Sequence, residues 1–162
     1  MTIEEYNQIV YSQSDALYRF ALKNIKVVED AQEIVQTSFE KLWIKKDQID
    51  ASKAKAYLFQ IVSNALIDRA RRAKLNATFR EQLSSNDSLV FNEAVDLKKT
   101  LEDAVAKLSD IQRHVILLRD YEGYSYEEIG AITSLSEQQV KVYIFRARQT
   151  LRSMLVNPEL IL

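Results

Sequence analysis

The sequence predicts an all-α protein built as two small helical domains joined by a polar linker, and three observations carry that prediction. Two Gly and one Pro in 162 residues cannot supply the tight reversals of a hairpin-rich sheet or a Gly-rich phosphate loop. Apolar residues recur at three- and four-residue intervals over most of the chain, the period of helices that bury one face. Between the two periodic halves, residues 77–95 gain Ser and Asn, as in Ser84-Ser85-Asn86-Asp87-Ser88, side chains that bond local backbone and compete with helix. The flanking domains, 1–76 and 96–162, are each near the lower size at which a domain folds alone, so each is expected to lean on a partner.

The first helix is expected over about 3–23, with Ile3, Tyr6, Ile9, Val10, Leu17, Phe20 and Ala21 on its apolar face. The second starts at Glu29-Asp30, an acidic pair suited to the positive end of a helix dipole. Its stripe is Ala31, Ile34, Val35, Ser38 and Leu42, widened by Phe39 and Trp43. After the polar break Asp47-Gln48-Ile49-Asp50, a third helix runs from about Ser52 to Lys74 with Tyr57, Leu58, Ile61, Val62, Ala65 and Leu66 as its apolar face. In the second half, Asp96–Leu108 puts Leu97, Leu101, Ala104, Val105 and Leu108 in helical register. Three capping boxes follow, Ser109 with Gln112, Ser125 with Glu128 and Ser136 with Gln139; in each a Ser oxygen takes an orphan N–H while the third residue on reaches back. Gly123 stands where the helix begun at Ser109 must stop in a left-handed residue.

A helix over 125–133, a turn at Ser134-Leu135-Ser136 and a longer helix from Glu137 to about Leu155 have the punctuation of a helix-turn-helix, which an αα-hairpin inside a bundle would share. Placed at 100° per residue, Val140, Ile144, Ala147, Leu151 and Leu155 form a core face. The opposite side carries Gln138, Val142, Phe145, Arg146 and Gln149, flanked by Lys141 and Arg152. From Gln138 to Leu155 the charged residues are Lys141, Arg146, Arg148 and Arg152, with no acid among them, whereas a merely solvated face mixes signs. Gln and Arg reach purine edges bidentately, and Val142 or an outward Phe145 suits a thymine methyl or a sugar.

The end of the third helix repeats the signal, with Arg69, Arg71, Arg72, Lys74 and Arg80 against Asp68 alone. Just upstream, Tyr57, Phe59, Asn64, Lys53 and Lys55 set aromatics and an amide beside the charge, the mixture that grips splayed bases of a single strand; Tyr57 fits a core position as well. The net charge of −1, taken globally, argues against a nucleic-acid partner. Resolved along the chain, residues 1–80 carry 13 basic and 10 acidic side chains, 81–112 carry 3 and 7, and 113–162 carry 6 of each. The acidic surplus therefore sits in the linker and the start of the second domain, where it leaves both basic faces intact and disfavours unproductive DNA contact, or serves only as an ordinary soluble linker.

These residues resemble, over nearly the whole chain, the smallest bacterial RNA polymerase sigma factors, the extracytoplasmic-function class. Ala31-Gln32-Glu33-Ile34-Val35-Gln36-Thr37-Ser38-Phe39 with Trp43 is similar to the family's polymerase-binding helix. Tyr57-Leu58-Phe59-Gln60-Ile61, Asn64 and Asp68-Arg69-Ala70-Arg71-Arg72 are similar to its promoter-melting helix. Leu108-Ser109, Gln112-Arg113, Leu117-Leu118-Arg119, Tyr121-Glu122-Gly123-Tyr124-Ser125-Tyr126-Glu127-Glu128-Ile129, Val140-Lys141, Arg146-Ala147-Arg148 and Leu151 follow the family's second domain.

The resemblance implies a sigma region 2-like bundle and a sigma region 4-like helix-turn-helix. It implies that Glu33, Gln36, Phe39 and Trp43 dock on the polymerase clamp helices. The loop 47–55, with Lys53 and Lys55, would join Tyr57, Asn64 and Asp68 in holding unstacked minus-10 bases, while Arg69, Arg71 and Arg72 meet phosphate. The second domain would rest on the polymerase flap and put Gln138, Gln139, Lys141, Val142, Phe145, Arg146 and Arg148 into the minus-35 major groove. An anti-sigma factor is an implied partner. The chain departs from the family at Thr37, where an acid is common, at Thr133 and Ser134 for the usual Leu and Gly, at Gly130 for Ala, and at Gln139 for Thr.

The expected function is thus a sigma factor that binds core RNA polymerase and directs promoter recognition, melting and initiation. The alternative is a one-component helix-turn-helix regulator that binds an operator without polymerase, its N-terminal half serving as a dimer or ligand module. Catalysis is not expected: His114 has no second His near it, no H-E-x-x-H spacing occurs, and the chain holds no Cys, which excludes thiolate metal sites and Cys nucleophiles. No cofactor, metal or small-molecule substrate is expected. The start Thr2-Ile3-Glu4-Glu5 is unlike a secretory signal, and no run nears about 18 apolar residues, so a cytoplasmic protein without membrane insertion is expected.

Overall fold

The computed structural model describes residues 1–80 and 97–155, with side chains for 1–77 and 98–155. Most of the expected linker, together with Asp96 and residues 156–162, lies outside the described residues. Among those described there are seven α-helices and no strand: α1 (Ile3–Ile25), α2 (Val28–Ile44), α3 (Ala51–Arg80), α4 (Leu97–Ala106), α5 (Asp110–Ile116), α6 (Tyr126–Thr133) and α7 (Glu137–Leu155), with a π-helical turn, Leu117–Tyr121, continuing α5.

Local chemistry sets most of the boundaries. Thr2 caps α1 reciprocally with Glu5: the Glu5 N–H donates to Thr2 Oγ1 at 3.1 Å, and the Thr2 N–H to Glu5 Oε2 at 2.8 Å. The helix ends on Lys26, left-handed at φ 60, whose N–H returns to the Leu22 carbonyl. Helix α2 lacks a side-chain cap at Val27 and relies on Glu29 and Asp30 in its first turn, where the dipole favours acids. Helix α3 runs past the expected end at Lys74 to Arg80, because nothing between Ala73 and Arg80 is Gly or Pro; it thus carries the first residues of the expected linker, 77–80, in helical form. Ser125 and Ser136 form the full reciprocal boxes. Ser109 makes the forward half, accepting from the Gln112 N–H at 3.4 Å.

The π-helical turn departs from the regular helix expected there. Its Glu122 N–H reaches five residues back to the Leu117 carbonyl, and Gly123, at φ 74, then lets the Tyr124 N–H close on Leu118 O. The inserted register keeps Leu117 and Leu118 fully inward while the chain turns toward α6.

Helices α1, α2 and α3 pack on one another, and α4, α6 and the α5 segment pack against or beside α7. The two groups do not stand apart. Helix α3 lies along α6, and a single cluster of buried side chains runs from Leu17, Phe20 and Leu42 through Phe59 and Val62 to Val115, Leu118 and Ile129. Each half was expected to lean on a partner; here that partner is the other half. Burial also corrects the expected face of α1. Leu17, Phe20 and Ala21 are fully buried, Tyr6, Ile9 and Val10 only partly, and Ile3 is 59% exposed.

Candidate nucleic-acid interface

Helix α7 turns Val140, Ile144 and Ala147 into the core and leaves Gln138, Lys141, Val142, Phe145, Arg146, Arg148, Gln149 and Arg152 exposed. Phe145 is 62% exposed and Val142 44%, so an apolar pair one turn apart stands open among cations on a side of the helix that no other described residue covers. Arg148 is held by Asp120 of the π-helical turn, at 2.7 and 3.3 Å, which orients its guanidinium. Gln139 is not a free reader: its Oε1 accepts from the Ser136 N–H at 2.9 Å, so the side chain that replaces the family's Thr serves the cap.

On α3 the expected residues separate by face. Lys53, Tyr57, Asn64, Asp68 and Arg71 follow one another at four, seven, four and three residues and share a stripe. Gln60, a further member of the stripe, fills the gap between Tyr57 and Asn64 at the same spacing. Lys53, Asn64, Asp68, Arg71 and Arg72 are exposed and Tyr57 is half-buried, its ring facing the Lys45 ammonium at 5.8 Å. Lys55 and Arg69 do not belong to this stripe. Lys55 sits on the side facing α6, and Arg69 turns to α2, where it pairs with Asp30 at 3.0 Å and Glu33 at 3.1 Å. Phe59, read from the sequence as a base-gripping aromatic, is fully buried between the Phe20 and Tyr124 rings, 5.7 and 5.1 Å away.

On α2, Glu33, Gln36 and Trp43 form an exposed stripe with Glu40, which donates no contact to the core and accepts from Gln36 Nε2 at 3.1 Å. Glu40 is a further member that the three- and four-residue spacing could have identified. Phe39 widens the core stripe as its spacing implies and so does not share the exposed stripe on which the resemblance sets it: its ring is buried on the other side of the helix, and its backbone carbonyl accepts from the Tyr6 hydroxyl at 3.0 Å. Trp43, 41% exposed, stacks edge-on against Tyr6 at 4.9 Å.

Polar contacts rim the seam between the halves. The Lys55 ammonium lies 3.8 Å from the Tyr124 ring centroid and 3.4 Å from Glu128. Gln60 donates to Ser134 Oγ at 3.2 Å, Arg19 pairs with Glu122 at 3.1 Å, and Arg113 donates to Asn24 Oδ1 at 2.8 Å. Burial, followed by Glu122 and Glu128, pushes the Tyr124 phenol up to about 12, so it stays neutral. The hydrogen bond from the Ser125 N–H, then Lys55, holds the Glu128 carboxyl below its usual range. At the centre of the seam His114 is buried, 1% exposed, with Nδ1 2.7 Å from Ser63 Oγ and its ring edge-on to Phe20 at 5.3 Å. It is a core histidine. Among the described residues no group of three or more His, Cys, Asp or Glu could hold a metal, and no helix is long and apolar enough to cross a membrane.

Along the chain, an acidic exposed stripe on α2 is followed by a basic and aromatic stripe on α3 and an exposed basic face on α7. Residues 10–75 match the sigma-70 region 2 family and residues 98–151 the sigma-70 region 4 family. The ECF RNA polymerase sigma factor SigM of Bacillus subtilis (strain 168) is 31% identical over 161 residues, spanning 95% of each chain. The chain belongs to the extracytoplasmic-function sigma factors of the sigma-70 family. The RNA polymerase sigma-E factor of Streptomyces coelicolor is 31% identical over 157 residues, 96% of this chain and 89% of that one. Among solved structures, the sigma factor RpoE bound to the anti-sigma factor NepR, from Bartonella quintana, superposes with a TM-score of 0.74 at 26% identity, covering 94% of this chain and 98% of that one. CnrH in complex with the cytosolic domain of CnrY superposes at 0.71 with 27% identity, covering 93% and 86%.

As a sigma factor the protein binds core RNA polymerase and directs it to promoter DNA, where transcription starts. The half that a one-component regulator would use as a dimer or ligand module is a sigma region 2, and nothing favours that alternative. Two of the family departures are linked in space within this sigma factor. Ser134 is left-handed at φ 59, the conformation in which the usual Gly is at ease, and a Cβ on Gly130 would lie 2.7 Å from the Leu135 carbonyl oxygen.

Proposed function

We propose a residue-level division of labour for this sigma factor, carried above all by the open face of α7, where Phe145 and Val142 stand exposed among Lys141, Arg146 and Arg148. Gln138, Lys141, Val142, Phe145 and Arg146 read the minus-35 major groove. Arg148, oriented by Asp120, and Gln139, oriented by its cap, serve the phosphate backbone. Lys53, Tyr57, Asn64, Asp68 and the added Gln60 receive unstacked minus-10 bases; Arg71 and Arg72 contact phosphate, and Lys55 and Arg69 join them once released from their present partners. Glu33, Gln36, Glu40 and Trp43 meet the clamp helices, and residues 96–162 rest on the flap.

The chain acts as two domains, 1–76 and 96–162, joined over 77–95, and the seam between them parts on the polymerase so that Lys55 and Gln60 become available. An anti-sigma factor is the counterpart that holds the free protein; the Bartonella quintana neighbour is a complex of that kind. The protein is not an enzyme: it binds and melts promoter DNA and neither makes nor breaks a covalent bond. Its place is the cytoplasm, where the polymerase works.

The test compares two cations in the holoenzyme. Arg146→Ala is expected to cost about 1–3 kcal/mol and to relax preference at one minus-35 position, whereas Arg71→Ala weakens every sequence alike and lowers the salt slope by about one unit. Equal losses on all sequences from both variants would overturn the division. A gel shift of promoter DNA without core polymerase is expected to show little binding, and tight core-independent binding would restore the operator-regulator reading.

A further inference from the structure

Arg69 is surrounded by acid. Its guanidinium lies 3.0 Å from Asp30 and 3.1 Å from Glu33, carboxylates one turn apart at the start of α2. All three side chains remain in contact with water, Arg69 at 33%, Asp30 at 42% and Glu33 at 69% exposure. Arg72 and Arg113 line the same pocket, but the Arg69 guanidinium itself is engaged by two carboxylates, which a phosphate approaching it must displace. Arg71 and Arg72, two and three residues on, are exposed. Glu33 also belongs to the α2 stripe that faces the clamp helices, so the same carboxylate stands between a protein partner and a DNA-directed cation.

Resting on the assignment of Arg69 to promoter phosphate and of Glu33 to the polymerase, we infer that Asp30 and Glu33 form an acidic clamp that withholds Arg69 from DNA in the free chain, and that capture of Glu33 by a basic group of the polymerase releases it. Once Glu33 is taken, Arg69 faces one acid and not two, and a phosphate competes with Asp30 alone. Linkage makes the effect reciprocal: DNA that draws Arg69 away leaves Glu33 unpaired and tightens its hold on the polymerase. Asp30 is thereby a positioning residue for minus-10 engagement although it touches neither partner.

The experiment uses the full-length chain and a labelled, mixed-sequence single-stranded DNA, read by fluorescence anisotropy across a salt series. Each exposed ion pair is worth roughly a 1.5- to fivefold change in an equilibrium, so Asp30→Asn is expected to tighten binding by about two- to fivefold. The slope against log salt steepens by about 0.7, the signature of one added contact to a single strand. Glu33→Gln gives a similar gain in the free chain, and the gain from either variant disappears when Arg69→Ala is added. Glu29→Gln, an exposed neighbour in the same turn, changes the net charge equally and is expected to give less than half the effect. The clamp is overturned if Asp30→Asn weakens binding, if Glu29→Gln matches it, or if its gain survives Arg69→Ala. Arg69→Ala in the holoenzyme separates the two ideas: unchanged promoter affinity and salt slope there defeat the phosphate assignment itself, whereas a loss there with no gain from Asp30→Asn defeats only the clamp.

Discussion

Gly130 and Ser134 show how two single residues set the angle between α6 and α7. The Gly130 carbonyl accepts both the Ser134 and the Leu135 N–H groups, the latter at 3.1 Å, so the chain folds back tightly over the end of α6. A methyl at residue 130 would lie 2.7 Å from Leu135 O, a backbone atom with no rotamer to escape into. Gly130→Ala is therefore expected to destabilise the fold by roughly 1–3 kcal/mol, the range for overpacking. Ser134→Gly is expected to stabilise it by about 0.5–1 kcal/mol, because a left-handed Ser carries steric strain that Gly lacks; the exposed hydrogen bond from Gln60 subtracts little. Urea unfolding of both variants checks the pair, and a stabilising Gly130→Ala would show that the turn opens without cost. The sequence displayed both substitutions against the family pattern. Their connection was not legible there, since it depends on a through-space approach between residues five apart that no periodicity encodes.

At the scale of helices, capping chemistry was the most legible feature. Ser125 and Ser136 do what their spacing with Glu128 and Gln139 implies, whereas Ser109 completes only half of its box. Removing a reciprocal cap costs about 1 kcal/mol, so Ser125→Ala is expected to lower stability by that amount and Ser109→Ala by less. Thermal unfolding followed by circular dichroism ranks them, and the reverse order would mean that the Ser125 hydrogen bonds are replaced by water. Faces of helices were legible where one side is buried and lost where two are. The α7 face follows from periodicity because α7 packs on one side. On α3, Phe59 and Lys55 turn toward α6 while Leu58 and Val62 turn inward, so apolar residues nearly circle the helix and no single stripe marks the aromatic that stays outside. Of the two aromatics expected to widen the α2 stripe, Phe39 does so and Trp43 leaves it: an aromatic beside a core stripe widens it or leaves it according to how the next helix crosses, and that crossing is a tertiary fact.

For the whole molecule, the decisive contact is the seam, and the group that makes it sensitive is His114. Arg113 stands beside the His114 ring on its own helix, with Asp110 paired to Arg113 at 2.6 Å; Ser63 of α3 and Phe20 of α1 complete the surroundings. Burial first, then Arg113, with Asp110 opposing, pulls the imidazole down to about 4 from 6.5. A histidine depressed in the packed state and free when exposed stabilises packing fully above about pH 6.5. That advantage declines as pH falls toward 4 and is flat below it. The whole swing is about 3 kcal/mol, and roughly a tenfold loss is already reached near pH 5.5. The window between pH 6.5 and 5.5 isolates the effect, because ordinary carboxylates remain ionised there and Glu128 is held lower still. Energy transfer between fluorophores on α3 and α6 is expected to fall over this window in the wild type as the halves part, and to stay level in His114→Gln, which keeps a neutral polar group near Ser63. If transfer falls equally in His114→Gln, the proton acts elsewhere. If far-ultraviolet ellipticity is lost in step with transfer, the seam and the helices unfold as one unit, and the halves are not separable bodies.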